Sequence, residues 1–200
     1  MHIQCRPMTV DDFSVVEREH WESAEQVRQY IERQGIASML AFEGPRYLGQ
    51  LYLKQYDPQF RDPGGWHGHR PWADFHSAEP LNLKGRFLTL GCYHVGWLPN
   101  GRDRSLQGKG IGTALLKAVI EWYESRSSFD ALLTWAPQPG SRRLLAEAGQ
   151  LPHTVYRRFG FQEIKQVRDP LWMETVTRER YPDATAEEPG LLRVMLLARE

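Results

Sequence analysis

The stretch Gln107-Gly108-Lys109-Gly110-Ile111-Gly112-Thr113 stands directly ahead of a run with helical periodicity. Glycines at 108, 110 and 112 remove side chains where a loop turns into a helix. Successive backbone N–H groups can then converge on one anion, helped by the positive end of the helix dipole. Downstream, Ile111, Leu115, Ala118, Val119 and Trp122 recur at three- and four-residue steps, which predicts an amphipathic helix opened by the glycines. The chemistry points to the phosphates of a large anionic cofactor. Close packing of a helix on a strand is the other reason for glycines in such a place.

Two common phosphate loops do not fit these letters. A P-loop needs a glycine where Asp103 stands and a serine or threonine where Gly110 follows Lys109. A dinucleotide fingerprint needs its last glycine three residues after the second, and Thr113 occupies that place. What fits is Gln/Arg-x-x-Gly-x-Gly, in which the stretch resembles the acyl-CoA pyrophosphate loop of the GNAT superfamily of N-acyltransferases. Further along, Tyr156-Arg157-Arg158-Phe159-Gly160-Phe161 resembles the Tyr-x-x-x-Gly-Phe that closes the fourth helix and opens the sixth strand in that superfamily. Its local chemistry agrees, because a glycine one place past a helical run supplies a left-handed cap and the aromatic after it starts a strand, Phe161–Gln166.

Composition bounds the answer. Two hundred residues, 41% hydrophobic and 12% aromatic, suffice for one domain with a sizeable core, expected to span 1–200. Lysine plus arginine equals aspartate plus glutamate, so no global field draws the chain to nucleic acid or to an anionic membrane. Apolar stretches fall short of the roughly 18 residues a membrane span requires. Cys5 and Cys92 are far apart in sequence, and no charged-then-apolar leader precedes the first strand-like residues. The expectation is a reduced, cytoplasmic protein without nucleic-acid or membrane partners, with a homodimer left open.

Periodicity and breakers order the elements. His2–Arg6 reads as a strand. Thr9 and Asp12 form a capping-box pattern for a helix over about Asp11–Glu19, and Ser23 with Gln26 repeats it for a second helix that stops at Gly35. Ala37–Phe42 and Tyr47–Gln55 read as a hairpin around Glu43-Gly44-Pro45-Arg46. Arg86–Leu98 is the strongest strand candidate, and it runs through the polar segment Asn100–Ser105 into the glycine loop. Ala131–Trp135 reads as a buried strand, Ser141–Gly149 and His153–Phe159 as helical material broken at Pro152, and Leu191–Ala198 as the last strand. Insertions are expected at about 57–85 and 167–190, the latter with a short helix around Trp172–Arg180. The resulting α/β order, β-α-α-β-β-β-α-β-α-β-β around a mixed sheet, is that of the GNAT fold and was settled at ambiguous boundaries by the resemblance.

Acyl transfer from CoA to an amine needs a thioester held still, a deprotonated amine and a proton for the departing thiolate. The resemblance implies acetyl-CoA as co-substrate, its pyrophosphate on Gln107, Gly108, Lys109, Gly110, Ile111, Gly112 and Thr113, and its pantetheine arm paired with backbone near Val95 and Trp97. It assigns the thiolate proton to Tyr156, for which the rival reading is a core tyrosine. His94 lies at or near a position where several members carry a carboxylate, and imidazole titrates close to neutral pH. The alternatives for the base are a structural His94 with water relaying to Cys92, Tyr93 or a loop acid. Trp66–His76 holds His67, His69, Asp74 and His76, but the spacing matches no closed zinc site, and no metal is expected. The segment is expected to be a lid over the acceptor site or a surface ornament. The implied activity is transfer of acetyl to a primary amine of a small molecule or peptide by direct attack in a ternary complex. The alternatives are a CoA-binding sensor or interaction module without chemistry, and a nucleotide binder, which the two failed loop patterns disfavour.

Overall fold

The computed structural model describes residues 1–18, 20–56, 81, 83–140, 142–168 and 191–199. Nearly all of the two expected insertions, including Trp66–His76 and the helix expected around Trp172–Arg180, lies outside the described residues. The chain packs as two compact units, Met1–Lys54 with Leu90–Ser128 and Gln55–Thr89 with Phe129–Glu200. The strand Phe87–Val95 contributes residues to both, and the strand Arg46–Gln55 gives its last residue to the second.

In the first unit β1 (Gln4–Pro7), β2 (Ser38–Glu43), β3 (Arg46–Gln55) and β4 (Phe87–Val95) are hydrogen-bonded in that order. β1 and β2 are antiparallel with Arg6 opposite Leu40, and β2 and β3 with Met39 opposite Leu51. Helix α1 (Ala24–Gln34) forms where expected: the Ser23 hydroxyl oxygen accepts the Gln26 N–H at 3.1 Å, and Gly35 ends the helix at φ 83°. Helix α2 (Ile111–Arg126) packs against β1 and β2 and buries Ile111, Leu115, Leu116, Val119 and Tyr123. The expected stripe drifts by one residue at its end. Tyr123 is buried and Trp122 only half-buried, so the buried face runs on by steps of four through Ile111, Leu115, Val119 and Tyr123. The core of this unit gathers Met8, Val16, Trp21, Val27, Leu40 and Tyr52, among others.

Two expectations are corrected here. The helix over Asp11–Glu19 is a 3-10 helix, Val10–Ser14, and nothing longer. The Thr9–Asp12 box does form, with the Thr9 N–H and hydroxyl each donating to Asp12 at 2.8 Å. The chain then leaves helical geometry at the β-branched pair Val15-Val16, which lose rotamer freedom in a helix, and Val16 enters the core. The second correction concerns the strand expected over Arg86–Leu98. It stops at Val95, and Trp97–Leu98 (β5) folds into a separate hairpin with Gly101–Arg102 (β6). Gly96 causes the break. Its φ is 76°, its N–H donates to the Leu48 carbonyl at 2.9 Å, its own carbonyl accepts the Asp103 N–H at 2.7 Å, and a Cβ there would collide with the Asp103 carbonyl oxygen.

In the second unit the start of β4 runs parallel to β7 (Ala131–Pro137), with Phe87 opposite Ala131. β9 (Leu191–Ala198) is antiparallel to β7 on one side and to β8 (Gln162–Arg168) on the other, with Thr134 opposite Met195. Every residue of β7 is buried, as a strand flanked on both edges requires. Short helices α3 (Arg142–Glu147) and α4 (His153–Arg158) precede β8, and Gly160 turns the chain between α4 and β8 at φ 86°. The chain is thus mixed α/β, in the expected element order.

Asp12 also anchors the first unit through Arg6, whose guanidinium donates to both carboxylate oxygens at 2.6 and 2.7 Å. Burial alone would raise this carboxyl, but the Arg6 and Thr9 donors outweigh it and hold it at about 2. A carboxyl whose folded pKa lies below its unfolded value contributes stability that is complete at neutral pH and is lost as pH falls from about 4 toward about 2. Because Arg6 is half-exposed, we expect Asp12→Asn to cost about 1–2 kcal/mol at pH 7, not the full shift. Urea unfolding of both proteins should show the gap closing below about pH 4, and a gap independent of pH would remove this role from Asp12.

Candidate active site

Release of the chain from helical geometry after Val16 carries the Glu17 carboxylate into the interior, with its side chain 9% exposed. Three residues on neighbouring strands meet it there. Side chains two apart on a strand share a face, so Gln50 and Tyr52 of β3 point the same way, as do Cys92 and His94 of β4. The Tyr52 hydroxyl donates to Glu17 Oε2 at 3.0 Å, and His94 Nδ1 lies 2.7 Å from the same oxygen. Gln50 Nε2 donates to the Tyr52 hydroxyl and to the Glu17 backbone carbonyl, both at 2.7 Å. Burial first, and then the charge on Glu17, push the Tyr52 hydroxyl well above its ordinary pKa, so it stays a donor at any neutral pH.

Aromatic rings close the site. Trp97 stacks on His94 with centroids 5.1 Å apart and planes 26° from parallel. Tyr52 meets the His94 ring edge-on at 5.0 Å, and His20 lies against both Tyr52, at 4.3 Å, and His94, at 4.9 Å. With Nδ1–H donated to a carboxylate, the imidazole is locked in the tautomer that carries its lone pair on Nε2, the arrangement of an oriented general base. In the same unit a cleft of about 410 Å³ is lined by Tyr47, Leu98 and the segment 99–103. Tyr47 joins the two, because the Glu17 charge adds to burial in raising its hydroxyl.

The glycine loop follows from the same strand. Beyond the β5–β6 hairpin, the 3-10 turn Arg104–Leu106 leads into Gln107, and Gly108 and Gly110 adopt φ of 72° and 80° before α2 begins. A Cβ built at either glycine meets nothing within 4 Å. The first turn of α2 carries no acidic residue to neutralise its dipole, and Lys109 and Arg104 are exposed beside it. Open space over the loop and local positive charge fit a diphosphate. Gly112 lies within the first turn of α2, as do Ile111 and Thr113. Val95 and Trp97, expected to share one pairing edge, are separated by the Gly96 break, and Trp97 pairs with Arg102.

Tyr156 belongs to the second unit, on α4, fully buried and edge-on to Phe161 at 5.3 Å. One turn earlier His153 donates Nδ1–H to the Pro137 carbonyl at 3.2 Å, and burial lowers its pKa, so it is neutral at pH 7. Cys5 is not an activated nucleophile. Burial and the neighbouring Glu121 charge push the Cys5 thiol up to about 11. Sequence reasoning missed Glu17, Gln50, Tyr52 and His20. Gln50 was the available signal, a polar residue inside an otherwise apolar strand.

Comparison with known proteins bears on the whole chain. Residues 4–161 match the family model described as the Acetyltransferase (GNAT) family. No curated protein matches the sequence. Among solved structures, a mosquito arylalkylamine N-acetyltransferase-like protein superposes with a TM-score of 0.53 at 10% identity, covering 99% of this chain and 100% of its own. A Drosophila melanogaster polyamine N-acetyltransferase that forms N-acetylagmatine gives 0.51 at 12% identity, covering 99% and 100%. The NatC complex bound to Gag peptide and CoA gives 0.51 at 11%, covering all of both chains. At such identities the likeness is one of fold.

Removing the carboxylate should strand buried donors. Glu17→Ala leaves Tyr52 and His94 without this acceptor, and we expect a loss of about 1–3 kcal/mol in unfolding free energy. Tyr52→Phe, which removes one donor and leaves the acceptor bonded to His94, should cost less. A Glu17→Ala loss under about 0.5 kcal/mol would mean that the carboxylate is not held inside the unit.

Proposed function

The chain belongs to the GNAT acetyltransferase family, and from that premise we propose that it transfers an acetyl group from acetyl-CoA to a primary amine by direct attack, with His94 as the base. The observation that carries this reading is the Glu17-oriented imidazole on the strand that feeds the glycine loop. Gln107–Thr113 holds the pyrophosphate through backbone N–H groups, and the strand end near Val95 and Trp97 holds the pantetheine arm. The amine nitrogen attacks the thioester carbonyl, its proton passes to His94 Nε2, a C–N bond forms, the C–S bond breaks, and the thiolate takes a proton. Glu17 keeps the imidazole in the receiving tautomer and stabilises the imidazolium that forms. Tyr156 is the source of the thiolate's proton on the strength of its motif position, independently of the first unit's geometry. The cleft lined by Tyr47, Leu98 and the segment 99–103 is the place this reading gives the acceptor. The proteins of similar fold include an arylalkylamine N-acetyltransferase-like protein and a polyamine N-acetyltransferase, whose names set the first compounds to try. Cytoplasmic location completes the reading, and among the described residues no helix is long and apolar enough to cross a membrane.

Two measurements test it. CoA should raise the unfolding temperature while NAD and ATP do not, since a ligand that binds only the folded state stabilises it by mass action. Gly110→Val should abolish that shift, because the new side chain enters the open space over the loop; undiminished binding would put the cofactor elsewhere.

Turnover is the second readout, with arylalkylamines, polyamines and a peptide N-terminus as acceptors. His94→Gln should lower kcat by about 10²- to 10⁴-fold with CoA binding retained. Tyr156→Phe should also lower turnover at unchanged CoA affinity. Full activity in His94→Gln would end its role as base, and CoA binding with no acetylated product from any acceptor would select the sensor reading.

A further inference from the structure

Cys92 and His94 of β4 share a strand face, and His20 reaches that face from the segment ahead of α1. One donor atom from each, the Cys92 Sγ and a ring nitrogen of His20 and of His94, lies within 4.8 Å of the other two. We propose that these three side chains bind one Zn²⁺, with the fourth coordination position open to water or a substrate atom. Two histidines and a thiolate are ligands zinc accepts in tetrahedral sites with one exchangeable position. The ring geometry already suits it. Two imidazoles on one tetrahedral ion place their centroids about 5 Å apart, and those of His20 and His94 are separated by 4.9 Å. Tetrahedral donors stand about 3.5 Å from one another, so closure draws the three side chains inward by about 1 Å.

A second observation is independent of the cluster. Metal-binding imidazoles typically donate their other ring N–H to a carboxylate, which fixes the tautomer and raises ligand basicity. His94 has that arrangement, with Nδ1 at 2.7 Å from a buried Glu17 oxygen that Tyr52 also holds. Binding forms a metal–sulfur bond at Cys92 and releases its thiol proton to the solvent. The sequence expectation of no metal weighed only the spacing of Trp66–His76, whereas this set joins residues 20, 92 and 94. The binding site stands on geometry alone. Its functional consequence rests on the acetyl-transfer reading: zinc takes the lone pair on His94 that would receive the amine proton, so the ion inhibits.

The full-length, metal-free protein titrated with Co²⁺, a tetrahedral stand-in with visible spectra, tests the site. One equivalent should produce a near-ultraviolet thiolate-to-cobalt charge-transfer band that one equivalent of Zn²⁺ removes. Cys92→Ala should abolish the band, Cys5→Ser should keep it, and His20→Ala should weaken affinity by about 10-fold or more. His20 is only half-buried, so that variant retains its fold if the Cys92 variant does not, as circular dichroism will show. No thiolate band at stoichiometric Co²⁺, or a band and affinity unchanged in His20→Ala and folded Cys92→Ala, would overturn the site and move any bound ion elsewhere in the chain. One equivalent of Zn²⁺ should lower acetyl transfer about 10-fold, reversibly with chelator, and spare His20→Ala relative to its own metal-free rate. Binding without inhibition would support the site while removing the base role from His94.

Discussion

The first unit is organised around one buried carboxylate. A charged group taken out of water is tolerated only where donors replace its hydration, and Glu17 obtains them from His94 and from Tyr52, whose hydroxyl Gln50 braces in turn. Each donor comes from a strand whose register fixes where it points. β3 and β4 must therefore stay adjacent and in phase, and the chain must leave the 3-10 helix after Ser14, or the charge is stranded. Replacing such a network by apolar side chains of the same volume is often neutral or stabilising, so stability alone does not explain its presence. An oriented imidazole with its lone pair on Nε2 does.

Much of this was legible in the sequence, because the relevant physics is local there. The Ser23 cap, the Gly35 stop, the turn at Gly44-Pro45 and the glycines ahead of α2 each depend on neighbours within four residues, and each forms as read. The motif ending at Gly160-Phe161 is local in the same sense. The strand break is also local in cause, yet it was missed: Gly96 looked like one more small residue in an apolar run, and only the approach of Asp103 shows why a side chain is forbidden. The short 3-10 segment was missed because a capping box announces a helix start and not its length.

The site itself was less legible, for a different reason. Glu17, His20, Gln50, Tyr52, Cys92 and His94 come together only through strand pairing, and nothing in residues 17–20 distinguishes them from an exposed acidic turn. His94 could be singled out because it lies on the strand ahead of the glycine loop, at or near a position where the resemblance implies a carboxylate in several members. Its partner could not, since the pairing spans 77 positions in the chain. The same distance conceals the cysteine and two histidines, which no short spacing pattern would collect.

Gly96 has a wider meaning for how such a protein can diverge. Its N–H is tied to the Leu48 carbonyl and its own carbonyl to the Asp103 N–H, so the backbone on the strand side is clamped before the hairpin begins. Length changes in Trp97–Arg102 would be absorbed beyond that clamp, without altering where His94 points. Hairpin residues also line the cleft beside Tyr47, so a lineage could remodel what enters the cleft while the imidazole and its carboxylate stay put. The shape of the cleft and the pose of the imidazole thus sit on opposite sides of one glycine, free to drift at separate rates.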